Sequence, residues 1–247
     1  MDGSPTAPRS DHRNPPSPPW DAHSFDRIDP EPDTNFYAQP RFVQHIDDGA
    51  IASVTETILR NVPPRSDVLD LMSSWVSHLP DPSDLPLGRI TGLGMNADEL
   101  ARNPRLDEWT TQDLNVHPRL PYPDASFDTV LITVSIQYLT QPELVLRDLA
   151  RVLRPGGVLI VTFSNRMFPT KAVRIWQDTP DSDRPSLVAA YLGAVGGFAA
   201  PEITEHLPRS RWSSGDPLWA VIARRVVPDT ATPDGIGSRP ASSATPV

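Results

Sequence analysis

Apolar residues first recur at helical spacing at Ile51, Val54, Ile58 and Val62, behind Asp47 and Asp48 and ahead of Pro63-Pro64. This predicts a helix that starts near the two acids and stops before the prolines. Asp67-Val68-Leu69-Asp70-Leu71-Met72 is a short apolar run with an acid inside and reads as a buried strand. Pro80, Pro82 and Pro86 limit any helix in the next stretch to one or two turns around Trp75 to Leu79. Arg89 to Gly94 reads as a second strand and Ala97 to Arg102 as a brief helix. The run Phe127 to Val134 is nearly continuous in apolar residues, as a parallel strand covered on both faces requires. Thr140 and Glu143 have the spacing of a capping box for a helix Pro142 to Leu153. That helix gathers Val145, Leu149, Val152 and Leu153 on one face and turns Arg147, Asp148, Arg151 and Arg154 to water. Pro155-Gly156-Gly157 ends it, and Val158 to Phe163 forms another buried strand. A helix around Ser186 to Val195 stops at Gly196-Gly197, and Leu218 to Val226 is the last strand.

The alternation predicts an α/β fold with a doubly wound, mostly parallel Rossmann-like sheet. Such sheets bind ligands beyond the carboxyl ends of their strands. Residues 1–33 and 228–247 are rich in Pro, Ser and Asp and poor in apolar groups, the composition of disordered tails around a domain at 34–227.

Composition narrows the chemistry. The 247 residues are 38% hydrophobic and include no cysteine, which excludes disulfides, thiolate metal sites and thiol nucleophiles. A net charge of −9 argues against nucleic acid as a partner, because that affinity comes mainly from neutralised phosphates. Of 22 basic residues only Lys171 is a lysine, and the arginines are spread along the chain. No run of about 18 apolar residues suits a membrane span, and the acidic, Pro-rich amino terminus has no apolar signal core. These features suit a cytoplasmic protein. No pair of histidines at helical spacing suggests a metal site, and no Gly-x-Ser-x-Gly elbow suggests a hydrolase.

Three segments together carry a family resemblance: Asp70 in the first strand, Pro121-Tyr122-Pro123-Asp124-Ala125-Ser126-Phe127-Asp128 before the middle strand, and Leu153-Arg154-Pro155-Gly156-Gly157 after the next helix. In this order they resemble the class I S-adenosylmethionine-dependent methyltransferases, most of all the small-molecule type 11 group. The resemblance covers roughly residues 36–225. It implies S-adenosyl-L-methionine as cofactor and a small molecule as substrate. It further implies that Asp70 organises the loop over the methionine moiety and that Asp113 receives the adenine amino group, with Leu114 against the ring. Val134 and Gln137 would lie beneath the reacting methyl.

Two positions depart from the family pattern. The loop expected to be glycine-rich reads Met72-Ser73-Ser74-Trp75, and the acid expected to hold the ribose hydroxyls aligns with Gly94. Met72, Ser73, Ser74 and Asn96 are the candidates to replace these contacts. Upstream, the polar-aromatic segment 35–45 corresponds to a lid in the family. There Arg41 is a candidate anion ligand, and His45 and Tyr37, with Tyr138 further on, are candidate proton acceptors. Ser164, Asn165 and Arg166 follow a strand end where substrate is expected. The resemblance leaves two readings open: an S-adenosylmethionine-dependent methyltransferase for an unidentified small molecule, or a catalytically inactive binding or interaction protein that has kept the fold. The acceptor and the oligomeric state are not legible.

Overall fold

The computed structural model describes residues 20–207, except Ala22, and 215–227. Seven strands, β1 (Val68–Ser73), β2 (Ile90–Gly94), β3 (Glu108–Thr111), β4 (Phe127–Thr133), β5 (Leu153–Phe163), β6 (Glu202–His206) and β7 (Leu218–Arg224), form one sheet in the order β3-β2-β1-β4-β5-β7-β6. Strands β1 to β5 pair in parallel, while β7 runs antiparallel to both β5 and β6. Around the sheet lie α1 (Asp33–Phe36), α2 (Asp48–Asn61), α3 (Ala97–Arg102), α4 (Pro142–Val152), α5 (Arg174–Asp178) and α6 (Arg184–Val195). This is the doubly wound α/β sheet that the hydrophobic pattern predicts.

The two-residue period of the strands builds two cores. Leu159, Val161 and Phe163 of β5 pack with Val145, Leu149 and Val152 of α4 and with α6, while Val158 and Ile160 pack with Ala50, Val54 and Ile58 of α2. Each fully buried aliphatic side chain contributes about 1.5–3 kcal/mol relative to exposure. Asp47 caps α2, its Oδ1 accepting from the Ala50 amide at 2.8 Å.

Several local expectations give way to tertiary partners. The Thr140–Glu143 capping box does not form: the Thr140 amide and hydroxyl donate to Asn115 Oδ1 at 2.7 and 3.0 Å, and Glu143 accepts from Trp20 Nε1 at 2.7 Å. No helix forms at 75–79, where Asn103 Nδ2 donates to the Ser74 carbonyl and Ser77 Oγ, and Arg105 donates to the Leu79 and Pro80 carbonyls. β5 begins at Leu153, so Pro155-Gly156-Gly157 lies inside a strand, with Gly156 at φ +79° and a register shift opposite β4. β3 and β6 are polar, largely exposed strands without an apolar run.

The second and third of the segments that carry the family resemblance are joined here by charge. Arg154 bridges Asp67 (3.0 Å) and Asp128 (2.5 Å). Arg151 pairs with Asp148 (2.6 Å) and Asp124 (2.9 Å) and donates to the carbonyls of Leu120 and Tyr122.

Part of the expected amino-terminal tail belongs to the domain. Trp20 packs edge-on against Tyr191, with ring centroids 4.9 Å apart, and the Ser24 and Asp26 carbonyls accept from the Ile175 and Arg174 amides. Lys171 is 1% exposed; its Nζ donates to the Glu31 carbonyl at 2.7 Å and pairs with Asp29 (3.0 Å) and Asp33 (3.4 Å). The buried ammonium thus finds its acceptors in residues whose composition reads as tail. The expectations for 1–19 and 228–247 lie outside the described residues, and among those described no helix is long and apolar enough to cross a membrane.

Trp20→Ala removes the ring contact and the Glu143 hydrogen bond, an expected loss of about 2 kcal/mol. Thermal denaturation followed by circular dichroism should show a midpoint lower by roughly 4–8 °C. An unchanged midpoint would mean that residues 20–33 add nothing to stability.

Candidate functional site

The sheet order reverses between β1 and β4, and a cavity of about 290 Å³ opens at the carboxyl ends of these strands and of β2 and β3. Met72 and Ser73 end β1 and Ser74 follows it, Gly94 ends β2 with Met95 and Asn96 after it, and Gln112, Asp113 and Leu114 follow β3. Val134 and Ser135 follow β4, and the segment from Tyr37 to His45 with Phe168 closes the opposite side.

The two departures in this region are one structural solution. β1 bulges after Leu71, Met72 takes φ +58°, and Ser73 pairs with Gly94. A Cβ at position 94 would run into the Ser73 carbonyl oxygen and stand 3.2 Å from Leu100 Cδ2. Position 94 is therefore glycine because the backbone of the glycine-free loop passes against it. No side chain fits there, acidic or otherwise. Val134 also sits at positive φ (+47°), unusual for a β-branched residue, so two strained positions flank the switch point.

Asp70 lies beneath the loop and does not line the cavity. It is buried and accepts from Ser73 Oγ at 2.6 Å and Ser77 Oγ at 2.5 Å. Burial pushes its carboxyl above the ordinary range, against the pull of the two hydroxyls. Its position suits shaping the loop from below.

Ser74 donates to Glu99 Oε2 at 2.5 Å, and Glu99 Oε1 accepts from the Arg41 amide at 2.6 Å. Asn96 caps α3, its Oδ1 accepting from the Asp98 and Glu99 amides, while its Nδ2 donates to the Tyr37 carbonyl at 2.9 Å. These bonds tie the loop, α3 and the closing segment together. Trp75 Nε1 adds a bond to the Val43 carbonyl at 3.0 Å, and the Arg102 guanidinium lies 4.1 Å from the Phe42 ring centroid.

Asp113 and Leu114 line the cavity after β3, and Asp113 Oδ1 accepts from the Asn115 amide at 2.9 Å. Asn115 is a hub that holds Asp33, Tyr138 and Thr140. Ser135 Oγ is buried on the cavity wall with no hydrogen-bond partner among the described residues.

The candidate proton acceptors divide by environment. Tyr37 and Tyr138 line the cavity, but burial raises both phenols, so they stay protonated and do not take up a further proton near neutral pH. Tyr138 Oη itself accepts from the Phe168 amide at 2.9 Å. His45 faces the cavity, 5.3 Å from Phe168 between ring centroids, and desolvation lowers its pKa. It is a neutral imidazole able to accept a proton. His78 lines the same cavity and is lowered by burial and by His45. In the sequence His78 reads only as a residue of the variant loop, because nothing local distinguishes a cavity imidazole from a loop residue.

Among the candidate substrate ligands, Arg41 and Arg166 reach the cavity wall with their charges engaged. Arg41 donates to the Phe36 carbonyl and stacks 4.3 Å over the Phe36 ring, and Arg166 pairs with Asp216 at 2.7 Å. Besides Asp70, three further candidates do not reach the cavity. Ser164 is buried and accepts from the Arg166 amide, and Asn165 points to solvent because the chain turns away after β5. Gln137 faces the interior from a one-turn 3-10 helix, its Nε2 donating to the Val134 carbonyl. Glu99 escaped notice since its spacing from Asn96 reads simply as a helix start.

A family model described as "Methyltransferase domain" matches residues 75–161, beginning at Trp75, the last residue of the glycine-free loop. The ubiquinone/menaquinone biosynthesis C-methyltransferase of Hahella chejuensis is 35% identical over 82 residues, 31% of this chain and 33% of that protein. The demethylmenaquinone methyltransferase of Bacillus licheniformis is 31% identical over 121 residues, 46% of this chain and 52% of that protein. The chain thus matches between a third and about half of these relatives' lengths. Among solved structures, the [4+2]-cyclase SpnF shares the fold at a TM-score of 0.52 and 18% identity, over 78% of this chain and 92% of that one.

Gly94→Ala should lower stability by about 1–3 kcal/mol through overpacking against the Ser73 backbone. Gly193→Ala, on α6 with open space around it, should instead raise it by about 0.5–1 kcal/mol. Equal urea midpoints for the two variants would remove the steric account of Gly94. Asp70 has a folded pKa above its unfolded one, so its contribution is fully present below the unfolded pKa and is lost as pH rises through the folded pKa. Urea unfolding at pH 4 and pH 7 should therefore show Asp70→Asn gaining on the wild type at the higher pH. A gap independent of pH would contradict a buried, raised carboxyl.

Proposed function

We propose that this chain is an S-adenosylmethionine-dependent methyltransferase of the type 11 group of class I methyltransferases, acting on a small molecule, a reading supported by its matched central segment and its fold. The observation that carries this reading is the cavity at the switch point, with an acidic acceptor (Asp113) and apolar walls (Leu93, Leu114) after β2 and β3 and an unpartnered hydroxyl (Ser135) after β4. When bound, S-adenosylmethionine supplies a methyl group on a positively charged sulfur. Asp113 is suited to accept the adenine amino group, since an ionised carboxylate is a strong acceptor for an exocyclic amine. Leu93 and Leu114 offer apolar contact to the ring. The chain's own contribution is mainly positioning and water exclusion by the segment 37–45. His45, neutral and facing the cavity, can take a proton from the acceptor, while Tyr37 and Tyr138 serve as donors.

The named relatives act in quinone biosynthesis, which supports a ring-bearing acceptor here, and the aromatic wall of Phe168 and Tyr138 suits one. A second reading keeps the fold without transfer. It is favoured by one observation: the side chains of Ser73, Ser74 and Asn96 are already bonded to protein partners.

Isothermal titration with S-adenosylmethionine and S-adenosylhomocysteine separates the two. Micromolar binding of both is the expected result; silence up to millimolar ligand selects the second reading. Asp113→Ala should weaken binding at least about tenfold, or ~1.4 kcal/mol, with the fold kept and the thermal midpoint lowered only by the loss of the Asn115 amide bond. An unchanged dissociation constant would remove Asp113 from the adenine role.

A further inference from the structure

Glu99 is a carboxylate that the rest of the site does not neutralise. It is 7% exposed and lines the cavity, yet among the described residues no Lys, Arg or His nitrogen lies within ion-pair distance of it. The nearby Arg41 guanidinium is turned onto the Phe36 ring and carbonyl, and only its backbone amide reaches Glu99. Each carboxylate oxygen receives one hydrogen bond, from Arg41 N and from Ser74 Oγ, and each retains capacity for another. A desolvated carboxylate with free acceptor positions on a cavity wall is costly unless a ligand completes it.

The sheet order says which part of a ligand arrives there. With the adenine amino group received after β3 at Asp113 and the methyl beyond β4 at Val134 and Ser135, the sugar between them crosses the ends of β2 and β1. Glu99 stands over these ends, held by Ser74 after β1 and by Asn96 after β2. Other acids near these ends are excluded. Asp70 is sealed beneath the loop, Asp98 is not on the cavity wall, and position 94 has no room for a side chain. We propose that Glu99, reaching from the first turn of α3, receives the two vicinal ribose hydroxyls of the cofactor. This rests on the reading of the cavity as an S-adenosylmethionine site. It also gives the glycine-free loop a role: Ser74 orients the carboxylate that position 94 cannot supply.

The test is isothermal titration of the full chain and of Glu99→Gln with S-adenosylhomocysteine, its 2′,3′-dideoxy analogue and its deaminated analogue. The wild type should lose at least about tenfold on removal of the hydroxyls, and Glu99→Gln should lose a similar factor for the parent ligand. The variant should then bind the parent and dideoxy ligands within about threefold of each other, since a shared interaction is lost only once. Glu99→Asp, which keeps the charge and shortens its reach, is the second variant should the glutamine form fail to fold. It too should lose most of the discrimination between those ligands. Unchanged affinity in the variants overturns the proposal, as does a loss with full discrimination between hydroxylated and dideoxy ligands, which would make Glu99 only a latch for the lid. Discrimination lost for the deaminated analogue instead would assign Glu99 to the ammonium group and also overturn it. Absence of parent-ligand binding to the wild type would be a different failure, that of the cofactor reading itself.

Discussion

The close approach of the Ser73 carbonyl to Gly94 governs the shape of the site. It forces the bulge in β1, the positive φ of Met72 and the absence of a side chain at the end of β2. Everything above it follows in series. The bulge turns Ser73 down onto Asp70 and leaves Ser74 facing Glu99; Glu99 in turn holds the Arg41 amide, and the segment 37–45 closes over the cavity. A loop with glycines would reach a similar path through backbone freedom. Here the path is held by side-chain hydrogen bonds.

That construction carries two costs, both sustained by the surrounding sheet. Non-glycine residues in the left-handed region, Met72 and Val134, each cost on the order of 1–3 kcal/mol. Asp70 adds the desolvation of a buried carboxyl, eased by the hydroxyls of Ser73 and Ser77. Both strained residues sit at the ends of central strands whose apolar residues are fully buried on both faces, where packing can over-determine them. Of the four non-glycine residues at positive φ among the described residues, Met72 and Val134 line the cavity, while Arg65 and Ala125 do not.

A second network serves the opposite end of the sheet. Arg154 with Asp67 and Asp128, and Arg151 with Asp148 and Asp124, join the starts of β1, β4 and β5. Two of the three segments that made the resemblance visible, those around Asp124 to Asp128 and Arg154, are therefore scaffold, remote from the cavity, while Asp70 lies beneath its loop. They are legible because each is a continuous run of residues, although apart from Arg151–Asp148 their charge pairs reach across 26 to 87 residues. The cavity wall draws single residues from many elements and leaves no such run.

By itself the sequence determined the elements whose cause is local: the apolar strands β1, β2, β4 and β5, the capped helix α2, the amphipathic α4, and with them the doubly wound sheet. The resemblance singled out Asp113, Leu114, Met72, Ser73, Ser74, His45 and Arg41, which line the cavity. Only the tertiary structure decided the rest. It drew residues 20–33 onto the domain through the buried ammonium of Lys171, and it took Thr140 and Glu143 away from each other for Asn115 and Trp20. It turned Gln137, Ser164 and Asn165 away from the cavity and brought His78 and Glu99 onto its wall. The physical reason is the same in each case. Periodicity and capping report what neighbours along the chain can do for one another, whereas a polar side chain on a strand end or loop takes the partner that the packed sheet brings nearest.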